Sequence, residues 1–269
     1  MLVAASGLRD LGKREDGRRY LGPGGDGSLS VRVPPPGDNQ TDRDEAVPVR
    51  HGAPSSATSC APAGACETAH VQRIAVLVSG AGSNLAALLG AGAETLGGRV
   101  VLVLSDRDGA GALTLATRAG VPTAVVRPAD HDDRPGWDAA VLSAVEAAAA
   151  DLVVLAGFAR ILGPAFPARF PTLNVHPSLL PAFPGAHAVS DALAWGVRLT
   201  GCTVHFVDAQ VDHGPVVAQE AVAVEPGDTA ERLHARIKTV EHRLLPACVA
   251  LACAGRLWVD GRHVKVLPP

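Results

Sequence analysis

Ile74-Ala75-Val76-Leu77-Val78-Ser79-Gly80-Ala81-Gly82-Ser83-Asn84 decides the fold. Five uninterrupted apolar residues read as a strand buried on both faces. The Gly-rich turn after them opens a helix running to about Leu89. Working outward, the alternation repeats. Residues 100–104 predict a second strand, 110–119 a helix closed by Gly120, and 123–126 a third strand. Residues 136–150 predict an alanine-rich helix and 152–156 a fourth strand. Short apolar runs separated by helices predict an α/β protein with a Rossmann-like, mostly parallel twisted sheet and helices on both faces.

Further along, the pattern is more mixed. Leu173-Asn174-Val175 is a short strand, residues 188–196 are helical in pattern, residues 202–207 alternate, and residues 215–222 give another strand. Residues 229–254 predict a long helix, with Asp228 as N-cap and Gly255 as the stop. Asp260-Gly261, between two short apolar runs, predicts a terminal hairpin. Residues 1–70 have another character. Pro34-Pro35-Pro36-Gly37-Asp38 and Ala53-Pro54-Ser55-Ser56-Ala57 bury too little apolar surface to offset the entropy of ordering. They predict a disordered extension ahead of one domain over residues 71–269.

Bulk properties narrow the function. A net charge of -3 offers no basic field for a nucleic-acid backbone, and 3% aromatic residues are too few for a base-stacking platform. No apolar run approaches the roughly 20 residues of a membrane span. The N-terminus has no secretory apolar core, so a cytosolic location is expected. Cys60, Cys66, Cys202, Cys248 and Cys253 form no metal-ligand spacing and read as reduced thiols without a catalytic role. No metal is expected.

Three side chains carry the candidate chemistry. Asn174 and His176 in Leu173-Asn174-Val175-His176-Pro177-Ser178-Leu179-Leu180-Pro181 are two apart, so an extended backbone sends both to one face. Asp212 lies downstream in Val211-Asp212-His213-Gly214-Pro215. An amide donor and a histidine cation can hold the oxyanion formed when an amine attacks a formyl or acyl carbon. A carboxylate beside them can set the histidine's charge and take up protons from the amine. The loop Ser79-Gly80-Ala81-Gly82-Ser83-Asn84 is an anion cradle: glycines admit close approach, and the helix N-terminus offers free N–H groups. It lacks the Gly-Lys-Ser/Thr of a Walker loop, and Leu85 stands where a dinucleotide fingerprint has its third glycine.

With loop, Asn/His segment and Asp212 in order, residues 73–257 resemble the folate-dependent phosphoribosylglycinamide formyltransferases. Leu155-Ala156-Gly157-Phe158-Ala159-Arg160-Ile161-Leu162 and Pro184-Gly185-Ala186-His187 complete the markers. The resemblance implies transfer of a formyl group from 10-formyltetrahydrofolate to the amine of glycinamide ribonucleotide, in a monomer or homodimer without nucleic-acid or membrane partners. It implies catalysis by Asn174, His176 and Asp212. It places the substrate phosphate at Gly82, Ser83 and Asn84, and the ribose at Glu241. Folate would lie against Ala159, Arg160, Ile161 and Leu162, against Ala209, Gln210, Val211 and Asp212, and beside Asn174, largely through backbone contacts. Arg134 would face its benzoyl-glutamate end.

The sequence departs from that pattern at Ala81, where a polar residue is common, at Val189, where some members have a second histidine, and at His213, where a small residue is usual. His187 either lines the site or caps the helix after it. His131, His205, His213, His234 and His242 are assigned surface or packing roles, and the charges of residues 231–243, Glu241 excepted, to a solvated helix face. Methionyl-tRNA formyltransferases share the Asn-x-His-x-Ser-Leu-Leu-Pro segment but add a C-terminal RNA-binding domain, which the short stretch after Arg256 does not supply. Formyltetrahydrofolate hydrolases add an N-terminal regulatory domain, which residues 1–70 do not resemble. A non-catalytic nucleotide-binding module is the reading from another class. It leaves the Asn174, His176 and Asp212 set unexplained.

Overall fold

The computed structural model describes residues 71–269; the extension expected over residues 1–70 lies outside the described residues. The order is β1 (Gln72–Val78), α1 (Ser83–Leu96), β2 (Gly98–Ser105), α2 (Gly111–Arg118), β3 (Thr123–Val125), α3 (Arg134–Ala147) and β4 (Leu152–Leu155). Then follow α4 (Ala165–Arg169), β5 (Thr172–His176), α5 (Ala188–Trp195), β6 (Leu199–Phe206), β7 (Val216–Ala223) and α6 (Ala230–Cys253). A hairpin of β8 (Leu257–Asp260) and β9 (His263–Val266) ends the chain's regular structure.

Seven strands form one sheet in the order β3-β2-β1-β4-β5-β6-β7. β1 to β5 run parallel, and β6 alone is reversed, pairing antiparallel with β5 on one side and β7 on the other. The apolar run that opened the sequence is the centre of both cores. Ile74, Val76 and Val78 pack with α1 and α6 on one face. Ala75 and Leu77 pack with Trp137, Val141 and Val145 of α3 on the other. A strand buried on both sides needs no polar alternation, which is why it reads as a continuous run.

Strand order reverses between β1 and β4: β2 and β3 lie on one side of β1, while β4 and β5 lie on the other. The loops leaving β1 and β4 therefore diverge and open a crevice at the carboxyl ends of the strands, where α/β sheets bind ligands. The antiparallel return of β6 brings a second set of side chains beside β5 at that same crevice.

Several boundaries differ from expectation. α1 runs to Leu96 rather than Leu89: Gly92 is kinked at φ 77 but the chain resumes its turns, and Gly97 at φ 63 is the stop. β6 begins at Leu199, because pairing with β7 extends it beyond the alternating core. α3 begins at Arg134, capped by Asp133, whose side chain accepts from the Gly136 N–H at 2.8 Å. The short α4 was not anticipated; its Phe166 and the adjoining Phe170 are buried under the sheet. The α6 cap is Thr229, not Asp228: Thr229 accepts from the Arg232 N–H, and Asp228 instead binds the Arg236 guanidinium.

Candidate active site

The loop after β1 is braced from behind. Gly82 has φ 86, and a Cβ there would lie 2.7 Å from Ala112 Cα, so glycine is required by both conformation and space. Ala112 N–H also donates to Gly80 O at 3.2 Å, fixing the loop on α2. No side chain caps the N-terminus of α1, which leaves its first N–H groups and positive dipole end facing outward. Asn84, expected to offer its side chain to a phosphate, donates its Nδ2–H to Glu241 Oε2 at 2.9 Å. Both residues are buried, and Asn84 Oδ1 has no hydrogen-bond partner.

That bond pins the start of α1 against the middle of α6. Lys238 stands one turn before Glu241 on α6 and is half-buried, with no carboxylate partner among the described residues. Burial, and then the Lys238 charge, lower the pKa of His234, while Glu241 partly opposes them. Thus His234, Lys238 and Glu241, at i, i+4 and i+7, share one face of α6. From sequence, Lys238 is expected on a solvated helix face and His234 in a surface or packing role. Their spacing from Glu241 is the signal that would have separated them from it.

β5 carries the centre of the site. Leu173 and Val175 enter the core, and Asn174 and His176 leave the opposite face together. Both reach Asp212: Asn174 Nδ2–H donates to Oδ1 at 3.3 Å, and His176 Nδ1 lies 3.3 Å from Oδ2. Asp212 Oδ2 also accepts from the Gly185 N–H at 2.7 Å. Asp212 holds φ 50, a backbone region that non-glycine residues avoid at a cost of order 1–3 kcal/mol. Its loop is pressed so closely on β6 that a Cβ at Gly214 would lie 1.8 Å from Phe206 O. Tight packing thus holds a strained residue with its carboxylate aimed at β5.

The electrostatics follow from these contacts. Burial works to raise the Asp212 carboxyl, but the neighbouring histidines, His205 and His176, and the Gly185 N–H outweigh it and hold it below the usual carboxylate range. His176 Nε2 lies 2.9 Å from Phe183 O, so both ring nitrogens face acceptors.

His205, assigned a surface or packing role, is only 2% exposed and belongs to this cluster. It pairs across the ladder with Asn174, as Thr203 pairs with His176. Its Nε2 lies 3.1 Å from Asn174 Nδ2. Thr203 Oγ1 donates to Ser178 O at 2.7 Å and accepts from the Leu180 N–H at 3.1 Å, holding the turn after His176. Polar residues alternating with Cys202, Val204 and Phe206 were legible as one face of a strand. Only the antiparallel register shows which residues they face.

The loop after β4 flanks the crevice. Ser79 Oγ accepts from the Ala159 N–H at 2.9 Å, and Ser79 N–H donates to Gly157 O at 3.0 Å, tying this loop to β1. Arg160 turns its side chain to Asp106 at 2.7 Å, leaving the loop backbone to face any ligand. Ile161, 61% exposed, and Val211, 47% exposed, offer apolar surface from the two loops that flank the β4–β5 end. Arg134 pairs with Asp138 at 3.0 Å and covers the Trp137 ring, so its guanidinium is already engaged. Ala209 and Gln210 lie in the loop before Asp212, whose turn is closed by Gln210 N–H donating to Asp208 at 2.9 Å. His187 occupies the N-cap position of α5 but its side chain caps nothing; it lines a cavity of about 220 Å³ with Pro177, Ser190, Glu231 and His234. Among the described residues, no group of three or more His, Cys, Asp or Glu is placed to hold a metal, and no helix is long and apolar enough to cross a membrane.

A parallel sheet with this switch-point crevice, an amide–imidazole–carboxylate set and a Gly-rich helix start defines the class. The formyl transferase family model matches residues 72–249, and the chain belongs to that family. Within it, similar relatives include phosphoribosylglycinamide formyltransferases. The one from Mycobacterium tuberculosis (strain ATCC 25618 / H37Rv) is 53% identical over 192 residues, covering 71% of this chain and 89% of the relative. The one from Escherichia coli (strain K12) is 39% identical over 206 residues, covering 73% of this chain and 96% of the relative. The solved glycinamide ribonucleotide transformylase 1 from Symbiobacterium toebii superposes with a TM-score of 0.73 at 46% identity, covering 75% of this chain and 96% of that one.

Proposed function

We propose that the protein transfers the formyl group of 10-formyltetrahydrofolate to the amine of glycinamide ribonucleotide, giving formylglycinamide ribonucleotide and tetrahydrofolate. The observation carrying this reading is the convergence of Asn174, His176 and Asp212 beside a helix N-terminus that no side chain caps. The substrate phosphate docks at the N–H groups of Gly82, Ser83 and Asn84, with Lys238 as countercharge. Glu241, a buried carboxylate with Asn84 as its one hydrogen-bond donor among the described residues, receives the ribose hydroxyls.

Two observations support folate at the crevice. Ile161 and Val211 present apolar surface suited to a flat heterocycle, and the backbone of residues 159–162 and 209–212 supplies polar edges. Folate, when bound, supplies the formyl carbon on a nitrogen that departs. The acceptor amine forms the new C–N bond, loses a proton, and the departing folate nitrogen gains one.

The residues divide that work. His176 Nε2–H rests on the neutral Phe183 carbonyl, and negative charge building on the formyl oxygen outbids it, because a charge-assisted hydrogen bond is about twice as strong. Asn174 adds an amide N–H whose present bond to Asp212, at 3.3 Å, is long and easily exchanged. Asp212, held below the usual carboxylate range, is a weak proton acceptor at neutral pH. Its main contribution is to keep the His176 ring aligned and cationic, while protons leave through solvent on the open side.

The test offers glycinamide ribonucleotide and water separately as acceptors with 10-formyltetrahydrofolate. Ribonucleotide-dependent product is expected, falling by about 10²- to 10³-fold in His176→Ala. Release of formate without transfer, or near-normal turnover in the folded variant, would overturn the reading.

A further inference from the structure

We infer that His205 is a positioning residue for this reaction: held as its neutral Nδ1–H tautomer, it fixes which end of the Asn174 amide meets Asp212 and the reacting oxygen. The inference rests on the proposed formyl transfer for its kinetic consequences, but not for the tautomer itself.

A chain of donor and acceptor constraints leads to it. Asp212 is ionised and can only accept, so the atom of Asn174 lying 3.3 Å from Oδ1 must be the amide nitrogen. That same nitrogen lies 3.1 Å from His205 Nε2. A nitrogen that donates there requires an acceptor, so Nε2 carries a lone pair and no proton. The remaining proton of the ring sits on Nδ1, which lies 2.8 Å from the Phe206 carbonyl, an obligate acceptor. Every link has one allowed polarity. His205 Nε2 is also 3.6 Å from Asp212 Oδ1, beyond hydrogen-bond reach, so Asn174 is its partner.

The consequence concerns Asn174. Without an acceptor at position 205, one amide N–H of Asn174 loses its anchor, and only the long contact to Asp212 opposes rotation. A rotated amide presents its oxygen to a growing negative charge, where it repels rather than stabilises. His205 is fully inside the cluster and the Phe206 carbonyl locks its ring, so the device costs the site no mobility. The polar groups facing it are Asn174 from β5, the Phe206 carbonyl from its own strand and Asp212 from the loop before β7, and Val216 of β7 pairs with it on the other side of the ladder.

The experiment compares His205→Gln with His205→Leu in the full chain. The Gln carbonyl can accept from Asn174; Leu cannot. In His205→Leu, kcat is expected to fall about 10- to 100-fold, less than for deleting an oxyanion donor outright, with both KM values within about twofold. His205→Gln is expected to recover most of that loss. Separately, the nitrogen chemical shifts of the His205 ring, assigned by difference against His205→Gln, are expected to show Nδ1 protonated and Nε2 bare at neutral pH. An Nε2–H tautomer or a doubly protonated ring would overturn the inference whatever the activity. Equal losses in Gln and Leu, or an unchanged kcat in a folded His205→Leu, would also overturn it. If the wild-type protein makes no formylated ribonucleotide while the tautomer is as stated, the proposed reaction fails and the relay stands.

Discussion

Asp212 and Glu241 are both carboxylates removed from water, and the protein treats them oppositely. Asp212 is bonded by the Gly185 N–H and Asn174, faces His176, and sits on a strained backbone that packing holds in place. Glu241, 3% exposed, has Asn84 as its one hydrogen-bond donor among the described residues, and the Lys238 charge is a turn away rather than in contact. An ion that is fully surrounded before any ligand arrives is set up to act on its neighbours. An ion left short of donors is set up to receive them from a ligand. The first belongs to chemistry, the second to binding, and the two should fail differently when altered.

The sharpest way to break this contrast is Asp212→Asn. The side chain keeps its size and most hydrogen bonds but loses the charge opposite His176. A fall in kcat of about 10³-fold is expected, with the ribonucleotide KM within about threefold, measured under steady-state conditions. A change confined to KM would show that Asp212 binds rather than acts, and would collapse the distinction from Glu241.

Glu241→Gln tests the other side with a smaller effect. Hydrogen bonds to a charged group are worth about 1.5–3 kcal/mol, so the ribonucleotide KM should rise about tenfold or somewhat more while kcat and the folate KM hold. Thermal stability should stay level or increase, because Gln removes a buried charge that the apo protein only partly satisfies. A destabilised Glu241→Gln with an unchanged KM would make the Asn84–Glu241 bond a structural clamp instead.

How far each half of this contrast could be read in advance differs, for a physical reason. Continuous apolar runs at residues 74–78 and 152–156 announce strands buried on both faces, so the parallel half of the sheet was legible. Asn174 and His176 were legible as a pair because the period of a strand is 2. His205 was not. Its role depends on an antiparallel register that sets it against Asn174, and no local pattern encodes the register of a distant strand. The Asn84–Glu241 bond spans 157 positions and was likewise hidden, although both residues were singled out. The α6 cap failed for a subtler reason. Asp228 and Thr229 are both good caps, and the choice falls to Thr229 because Asp228 is drawn away by Arg236.

Asp106 gives the contrast a third case and the smallest expected effect. It is as buried as the other two but fully satisfied by protein: Arg107 donates at 3.0 and 3.1 Å, and Arg160 at 2.7 Å. Burial raises its carboxyl, yet Arg107, Arg160 and Ser79 prevail and bring it to about 2 from 3.8. A folded value below the unfolded one means stabilisation that is complete above about pH 5 and is lost as pH falls from 3.8 toward about 2. The guanidinium groups are about half exposed, so screening trims the contribution to about 1–2 kcal/mol at pH 7. Asp106→Asn should therefore unfold at lower urea between pH 5 and 7, and the gap from wild type should close near pH 2. Because Arg160 anchors the loop over residues 157–162, the folate KM should rise a few-fold while kcat stays within about threefold of wild type. A fall in kcat approaching that of Asp212→Asn would mean that burial and charge alone, whatever the neighbours, predict a catalytic carboxylate here. A stability gap that persists unchanged to pH 2 would remove the ion pairs as its cause and leave packing.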